Sequence, residues 1–246
     1  VSGFVVRSLS PLVSNWRNRG DLHEYLREQG VIGVSEVTTR ALVRHIREKG
    51  VMRAALAHGE AAEDIAALLE RARSAPDMSG ANLVDDVTTP EPYNWTQRSD
   101  PQWYQSHRYD PDGPLVVAYD FGIKSNILRM MTDRGLRVTV VPAQTSPREV
   151  LALNPAGIFL SNGPGDPAAV TYAIENIREL LGQVPVFGIC LGHQLLGLAL
   201  GGRTEKMRFG HRGGNQPVKN LLTDQVEIRR VLFRSDRKST RLNSSH

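Results

Sequence analysis

Apolar and polar positions alternate along residues 115–200 in a way that predicts strands and helices in turn. Short apolar runs predict four buried strands, at 115–119, 137–141, 157–160 and 185–189. Apolar residues at helical spacing predict helices at 124–133, from 146 onward, at 168–181 and at 191–200. Because strands alternate with helices, we expect a parallel sheet that is covered by helices on both faces.

The first hundred residues predict a separate, smaller region. Helices are predicted at 21–29, 39–49 and 60–72. Asp21 is a plausible N-cap of the first helix, and Gly30 is placed to end it. Prolines then break the periodicity, and the run DPDGP that starts at Asp110 is a strong turn signal. We therefore predict an N-terminal domain, a linker and a second domain, at 1–106, 107–114 and 115–228.

The composition is that of an ordinary soluble globular protein. Of the 246 residues, 40% are hydrophobic and 23% are charged, and no apolar run approaches the roughly 20 residues that a membrane helix needs. The single cysteine excludes an intrachain disulfide and fits a reducing compartment. No secretory signal region is found near the start of the sequence. We therefore expect a cytoplasmic protein that does not bind membranes.

The net charge of +4 does not indicate a nucleic-acid partner, because it comes from the end of the chain. Residues 229–246 hold six basic residues and one acidic residue, a net charge of +5, so the preceding 228 residues carry −1. This tail has no helical or strand periodicity. Its run DRKSTRLNSSH resembles translated adapter DNA. We expect a non-native tail, and the alternative is a natural disordered basic tail.

The run GICLG places Cys190 between the predicted strand 185–189 and the predicted helix 191–200. A nucleophile flanked by glycines at such a turn is typical of a nucleophile elbow. The start of the helix favours the thiolate, and the backbone N–H of Leu191 is placed to donate to an oxyanion. Most lone cysteines are small buried hydrophobic residues, which is the alternative. The spacing and the strand–helix context favour the nucleophile.

A second candidate loop, SNGPGDP, spans residues 161–167 directly after the strand 157–160. Taken alone, this composition predicts only a turn. Ligands of parallel α/β sheets bind beyond the carboxyl ends of the strands, and this loop and Cys190 both follow such ends. The glycines of the loop therefore permit backbone N–H groups to approach a substrate.

The runs SNGPGDP and PVFGICLGHQLLGLALGG together resemble the class I glutamine amidotransferases. Three further runs resemble the small subunit of glutamine-dependent carbamoyl phosphate synthetase, namely KMRFGHRGGNQPV, YDFGIKSNILR and VTTRALVRHIREKG. The resemblance covers residues 1–228 in order. It implies an N-terminal α/β domain followed by a flavodoxin-like class I amidotransferase domain with a mostly parallel sheet.

The resemblance implies that Cys190 attacks the carboxamide of L-glutamine, releases ammonia and forms a thioester that water hydrolyses. It also implies a glutamine-binding role for four residues, Gly163, Gly165, Leu191 and Gln194, although Gln194 taken alone suits a solvated helix position. No metal and no cofactor are expected in this chain. The expected partner is a large subunit, which uses ATP and Mg²⁺ to convert the ammonia to carbamoyl phosphate for pyrimidine and arginine biosynthesis.

Three parts of the family's pattern are missing, and two of them are glutamine contacts: an Asn-His-Gly-Phe-like loop expected after Ile228, and the family's N-terminal start. The catalytic base of the family is a histidine in a His-x-Glu pair, and no such pair follows Cys190. We expect His193 to point away from Cys190, His211 matches no catalytic position, and His246 lies in the tail. We therefore expect a chain that is truncated at both ends and has negligible glutaminase activity. The alternatives are a docking subunit without catalysis, and a different cysteine hydrolase or redox protein of α/β fold.

Overall fold

The computed structural model describes residues 3–16, 18, 20–101, 110–207 and 217–228. Contacts divide the described chain into two compact units. One extends to Asp77, and the other runs from Met78 to Lys206 and includes the segment 217–228. This division precedes the linker predicted at 107–114, of which 107–109 lie outside the described residues. Among the described residues, no helix is long and apolar enough to cross a bilayer.

The first unit combines a small parallel sheet with three helices. Its elements are β1 (Gly3–Val5), α1 (Leu22–Glu28), β2 (Ile32–Val34), α2 (Thr39–Lys49) and α3 (Ile65–Ser74). β1 pairs with β2 in parallel. Asp21 caps α1 by accepting a hydrogen bond from the Glu24 N–H at 2.8 Å, and Gly30 follows the helix at φ 61°, as predicted. The predicted helix 60–72 is divided, because a 3-10 turn at Gly59–Ala62 precedes α3.

The second unit is built on a five-stranded sheet. Its elements are β3 (Tyr93–Trp95), β4 (Leu115–Asp120), α4 (Ser125–Thr132), β5 (Arg137–Pro142), α5 (Pro147–Ala152), β6 (Gly157–Leu160), α6 (Thr171–Leu180), β7 (Val186–Gly188) and α7 (Leu191–Ala199). The strand order is β3-β5-β4-β6-β7. Only β3, which pairs with β5, is antiparallel in this sheet. The mostly parallel α/β architecture predicted from the sequence is confirmed. A hairpin of β8 (Pro217–Lys219) and β9 (Val226–Ile228) follows.

Helices cover both faces of the five-stranded sheet, so neighbouring strand residues enter different core clusters. One cluster joins the sheet to α5, α6 and α7, and includes Val117, Tyr119, Ile158, Leu160, Val150, Ile177 and Leu195. The other joins the sheet to α4, and includes Ala118, Val138, Val140, Phe159 and Leu128. Burying each of the Val, Leu, Ile and Phe side chains among them contributes about 1.5–3 kcal/mol. The core thus fixes the strand ends that carry the candidate site.

β3 was not predicted from the sequence. Its three residues lie near Pro90 and Pro92, and they show no period of their own. The strand forms because Tyr93, Asn94 and Trp95 pair with the edge strand β5. This pairing also explains why the segment that the sequence assigned to the N-terminal domain belongs to the second unit.

Candidate active site at the carboxyl edge of the sheet

Cys190 occupies a sharp turn between β7 and α7. Its backbone has φ 53° and ψ −113°, a conformation that residues with a side chain rarely adopt. Strain of this kind costs on the order of 1–3 kcal/mol and persists only where the surrounding structure imposes it. The side chain is exposed and carries the only thiol of the chain.

The glycines on either side of Cys190 have no room for a side chain. A Cβ on Gly188 would lie 2.5 Å from the carbonyl carbon of Gly192, and one on Gly192 would lie 2.2 Å from the carbonyl oxygen of Leu160. The same close approach lets the Gly192 N–H donate to the carbonyl oxygen of Ser161 at 2.9 Å. The Ile189 N–H donates to the carbonyl oxygen of Leu160 at 3.0 Å. These contacts fix the start of α7 against the end of β6.

Gly163 of the SNGPGDP loop lies against the first residue of α7. A Cβ on Gly163 would lie 2.0 Å from the carbonyl oxygen of Phe121 and 2.8 Å from Cδ2 of Leu191. In the part of the chain that the structure describes, neither the Gly163 N–H nor the Leu191 N–H donates to a protein acceptor. Two backbone donors next to the Cys190 turn are therefore available to a ligand.

A buried serine links the loops that form this edge. Ser161 is fully buried, and its Oγ accepts a hydrogen bond from the Phe121 N–H at 2.9 Å. The same Oγ donates to the carbonyl oxygen of Asn162 at 2.8 Å. Because the Ser161 carbonyl also accepts from Gly192, this residue connects the loops after β4, β6 and β7.

The loop after β4 is held by two polar side chains. Buried Asp120 accepts hydrogen bonds from the Gly122 and Ile123 N–H groups at 2.9 and 2.8 Å. Asn162 donates from Nδ2 to the carbonyl oxygen of Gly122 at 2.8 Å and accepts from the Lys124 N–H at 3.2 Å. Sequence reasoning assigned no role to Ser161, Asn162 or Asp120. The available signal was that Asp120 and Ser161 directly follow the apolar runs of parallel strands, and that Asn162 is the next residue after Ser161.

The remaining residues predicted from the sequence lie on α7, in the SNGPGDP loop, or outside the described residues. Gln194 is partly buried in the first turn of α7, where its N–H donates to the carbonyl oxygen of Cys190 at 3.0 Å. Gly165 adopts φ 93°, and it packs against Ala81. His193 is partly buried on α7. The other two candidate histidines, His211 and His246, lie outside the described residues.

The arrangement joins an exposed thiol to two unpaired backbone donors, one at the start of α7 and one in the SNGPGDP loop. Backbone N–H groups of this kind stabilise the oxyanion that forms when a nucleophile attacks a carbonyl carbon. Among the described residues, no group of three or more His, Cys, Asp or Glu side chains could hold a metal ion. The geometry therefore suits covalent catalysis on an amide or ester.

Two family models match the chain. Residues 117–241 match glutamine amidotransferase class-I, and residues 1–56 match the CPSase domain of the carbamoyl-phosphate synthase small chain. The first match covers about half of the chain and contains Cys190 and the SNGPGDP loop.

Curated relatives match most of the chain. It is 52% identical over 233 residues to the carbamoyl phosphate synthase small chain of Syntrophotalea carbinolica, covering 93% of this chain and 60% of the relative. For the small chain of Escherichia coli K12, the identity is 49% over 233 residues, 92% of this chain and 60% of the relative. For the chloroplastic small chain of Arabidopsis thaliana, it is 48% over 229 residues, 93% of this chain and 53% of the relative. The chain thus spans less than two thirds of the length of each relative.

Proposed function

Since the chain belongs to the class-I glutamine amidotransferase family and is similar to carbamoyl phosphate synthase small chains, we propose that it is the glutamine-hydrolysing subunit of such a synthase. The observation that carries the proposal is the Cys190 thiol on a strained turn, beside the unpaired N–H groups of Leu191 and Gly163. This is the arrangement that a nucleophile elbow requires.

In the proposed reaction, Cys190 Sγ attacks the carboxamide carbon of L-glutamine. A C–S bond forms, the C–N bond breaks, and ammonia leaves with the proton of the thiol. Water then attacks the thioester, which releases glutamate and restores the thiol. The Leu191 and Gly163 N–H groups stabilise the oxyanion in both steps.

Glutamine binding is assigned to the residues around this thiol. Leu191 acts through its backbone, because its side chain is 1% exposed and belongs to the core. Gly163 and Gly165 bring the backbone of the SNGPGDP loop close to the substrate, and Gln194 lies within the first turn after Cys190. The two glycines suit this role because their backbones approach neighbouring chain segments more closely than a Cβ permits.

The ammonia is proposed to pass to a large subunit that makes carbamoyl phosphate for pyrimidine and arginine biosynthesis. The proposal rests on the match of residues 1–56 to the CPSase domain and on the names of the relatives. ATP and Mg²⁺ would be used in that partner. The cytoplasmic location also stays a prediction, and one of the plant relatives is named as chloroplastic.

We further propose that a polypeptide of these 246 residues hydrolyses glutamine slowly. No His-x-Glu pair follows Cys190, so the family's general base is not present in this sequence. General-base assistance contributes about 10²–10⁴-fold. The proposed glutamine contacts at Gly163, Gly165, Leu191 and Gln194 do not include that base, so binding and turnover are measured separately in this chain.

The test of the site uses the single thiol as a reporter. Alkylation of Cys190 by iodoacetamide is followed by mass spectrometry, with L-glutamine or L-asparagine added at increasing concentration. We expect glutamine to slow the alkylation and asparagine, which is one methylene shorter, to have a much weaker effect. Cys190→Ser must show no alkylation. Equal effects of the two amino acids, or none, would contradict the glutamine site.

The second test measures turnover. Ammonia release from glutamine is compared with that of the Escherichia coli small chain under the same conditions. We expect a rate about 10²–10⁴-fold lower, and Cys190→Ser must remove what remains. A rate equal to that of the relative would show that the missing pair is not needed.

A further inference from the structure

Residues 80–89, called the strap below, cross the carboxyl edge of the sheet beside the proposed site. Along its length the strap bonds to the loop after β6, to the loop after β5 and to the end of β4. Val84 in its middle is fully buried, in the same core cluster as Leu191 and Leu195 of α7. The strap is therefore anchored within the second unit, and sequence reasoning gave it no role.

The first end of the strap is held by Asp166, the acidic residue of the SNGPGDP loop. The Gly80 N–H donates to Asp166 Oδ2 at 2.9 Å, and the Asp166 N–H donates to the carbonyl oxygen of Ala81 at 3.1 Å. Asp166 Oδ1 accepts from the Ala168 N–H at 3.0 Å, where the chain leaves the loop. One carboxylate thus joins the strap to the loop's exit.

Backbone packing strengthens this junction. A Cβ on Gly165 would lie 2.8 Å from the carbonyl oxygen of Ala81 and 3.1 Å from the backbone N of Leu83. The backbones of the loop and the strap are therefore in direct contact at Gly165. A shift of either one displaces the other.

The middle of the strap is fixed to the body of the second unit through Asp85. Its Oδ1 accepts hydrogen bonds from Tyr172 Oη of α6 and from Gln144 Nε2, both at 2.7 Å. Burial and the hydrogen bond to Asp85 raise the pKa of Tyr172, so its hydroxyl remains a donor at neutral pH.

The far end of the strap reaches the end of β4. Thr88 Oγ1 accepts from the Ala143 N–H at 2.9 Å, and the Thr89 N–H donates to Asp120 Oδ2 at 2.9 Å. Asp120 is the buried carboxylate that also organises the loop after β4. Both ends of the strap are therefore bound to carboxylates that shape the loops of the proposed site.

We infer that the strap holds the Gly163 loop in its glutamine-binding conformation, and that Asp166 is the positioning residue through which it does so. The inference rests on the proposed function. On one side the loop is confined by Phe121 and Leu191, and on the other side it is held by the strap. Oxyanion donors act only when they are held close to the position of the developing charge. Asp166 touches no reacting atom, so its effect is on the loop.

The test compares the Asp166→Asn variant with the unsubstituted protein and with the Asp64→Asn variant. Asparagine keeps the size of the side chain but supplies one acceptor oxygen, so either Gly80 or Ala168 loses its partner. Asp64 is the control, because it is also a capping carboxylate: as the N-cap of α3 in the first unit, it accepts from the Ala67 N–H at 2.9 Å. Two quantities are measured: the glutamine concentration that halves Cys190 alkylation, and hydrogen exchange of the amides in 161–167 without glutamine.

We expect Asp166→Asn to raise the half-protecting glutamine concentration about tenfold, the usual scale for a lost hydrogen bond to a charged group. Alkylation without glutamine should change less than about twofold, because the contacts of the Cys190 turn are untouched. Exchange in 161–167 should become faster. A merely structural defect would move the alkylation rate without glutamine as well, and that result overturns the inference.

Other results would also overturn the inference about the strap or the proposed function. The inference is overturned if Asp166→Asn changes neither the half-protecting glutamine concentration nor the amide exchange in 161–167. It is also overturned if Asp64→Asn changes these two quantities as much as Asp166→Asn does. If glutamine protects none of the proteins, the proposed function fails, and exchange in 161–167 alone decides whether the strap holds the loop. If Asp166→Asn does not fold, Tyr172→Phe, which removes one hydrogen bond to Asp85, is tested by the same two measurements with the same criteria.

Discussion

Ser161 joins the loop after β4 to the start of α7, through its buried hydroxyl and its backbone carbonyl. Ser161 Oγ is the acceptor for the Phe121 N–H, and the backbone carbonyl of the same residue is an acceptor for the Gly192 N–H. The first of these bonds lies in the interior, where a donor that loses its acceptor costs about 1–3 kcal/mol. Ser161 therefore contributes to stability as well as to the geometry of the site.

Ser161→Ala is expected to lower the free energy of unfolding by about 1–3 kcal/mol, because it leaves the Phe121 N–H without its acceptor. Urea denaturation followed by circular dichroism measures the effect. Ser10→Ala is the control, since Ser10 Oγ donates to the Leu12 carbonyl at an exposed position, where the expected change is within about 0.5 kcal/mol. Equal changes in the two variants would contradict the role assigned to Ser161.

Sequence spacing was sufficient to predict the turn that carries Cys190, because that turn is a local feature of the chain. Cys190, Leu191 and Gln194 lie within one motif, so their relation follows from a strand-to-helix turn. The bond from Phe121 to Ser161 joins residues 40 apart, and the bond from Gly80 to Asp166 joins residues 86 apart. Such contacts depend on the register of strands and on the path of the strap, which no local pattern records.

At the level of elements, α5 shows how a local signal determines a helix start. Ser146 is a residue type that favours the N-cap and Pro147 one that favours the first helical position, and α5 begins in this way. Glu149 completes a capping box, because it accepts from the Ser146 N–H at 2.9 Å and from Ser146 Oγ at 2.6 Å. These hydrogen bonds lower the pKa of Glu149.

Glu149→Gln is expected to lower stability at neutral pH and to have less effect in acid. Because the pKa of Glu149 is lowered on folding, its contribution is present above the unfolded value near 4.5 and is lost as pH falls through the folded value. Urea midpoints of both proteins across this range measure the effect. Glu175→Gln removes the same charge from α6 and is the control. The capping role would be contradicted if the urea midpoints of Glu149→Gln and Glu175→Gln differ from that of the unsubstituted protein by the same amount at each pH.

Elements that are long enough to show a period in the sequence were predicted, some of them with accurate bounds. The helix predicted at 39–49 has the same bounds as α2, and the strand predicted at 157–160 has those of β6. β1, β2 and β3, which have three residues each, were missed. A strand of three residues is too short to show alternation. β7 is equally short, but it was predicted because its apolar run directly precedes the Cys190 turn and the helix 191–200.

Across the whole molecule, the buried apolar residues are distributed unequally. Among the described residues, every fully buried large hydrophobic side chain lies in the second unit, from Val84 onward. In the first unit, Leu12, Trp16 and Ile65 are 75%, 72% and 75% exposed. Because burial of apolar surface is the main source of stability, the two units should differ in local stability within one chain.

Hydrogen exchange of the full chain measures this difference on two helices of similar length. α2 has eleven residues and none that is buried, whereas α6 has ten residues and buries Ala173, Ile174, Ile177 and Leu180. An isolated helix of this length is marginal in water, so its protection comes from packing. We expect the amides of α2 to exchange at least about 100-fold faster than those of α6, after correction for intrinsic rates. Equal protection would show that α2 buries its apolar face against a surface that supplies as much stability as the sheet supplies to α6.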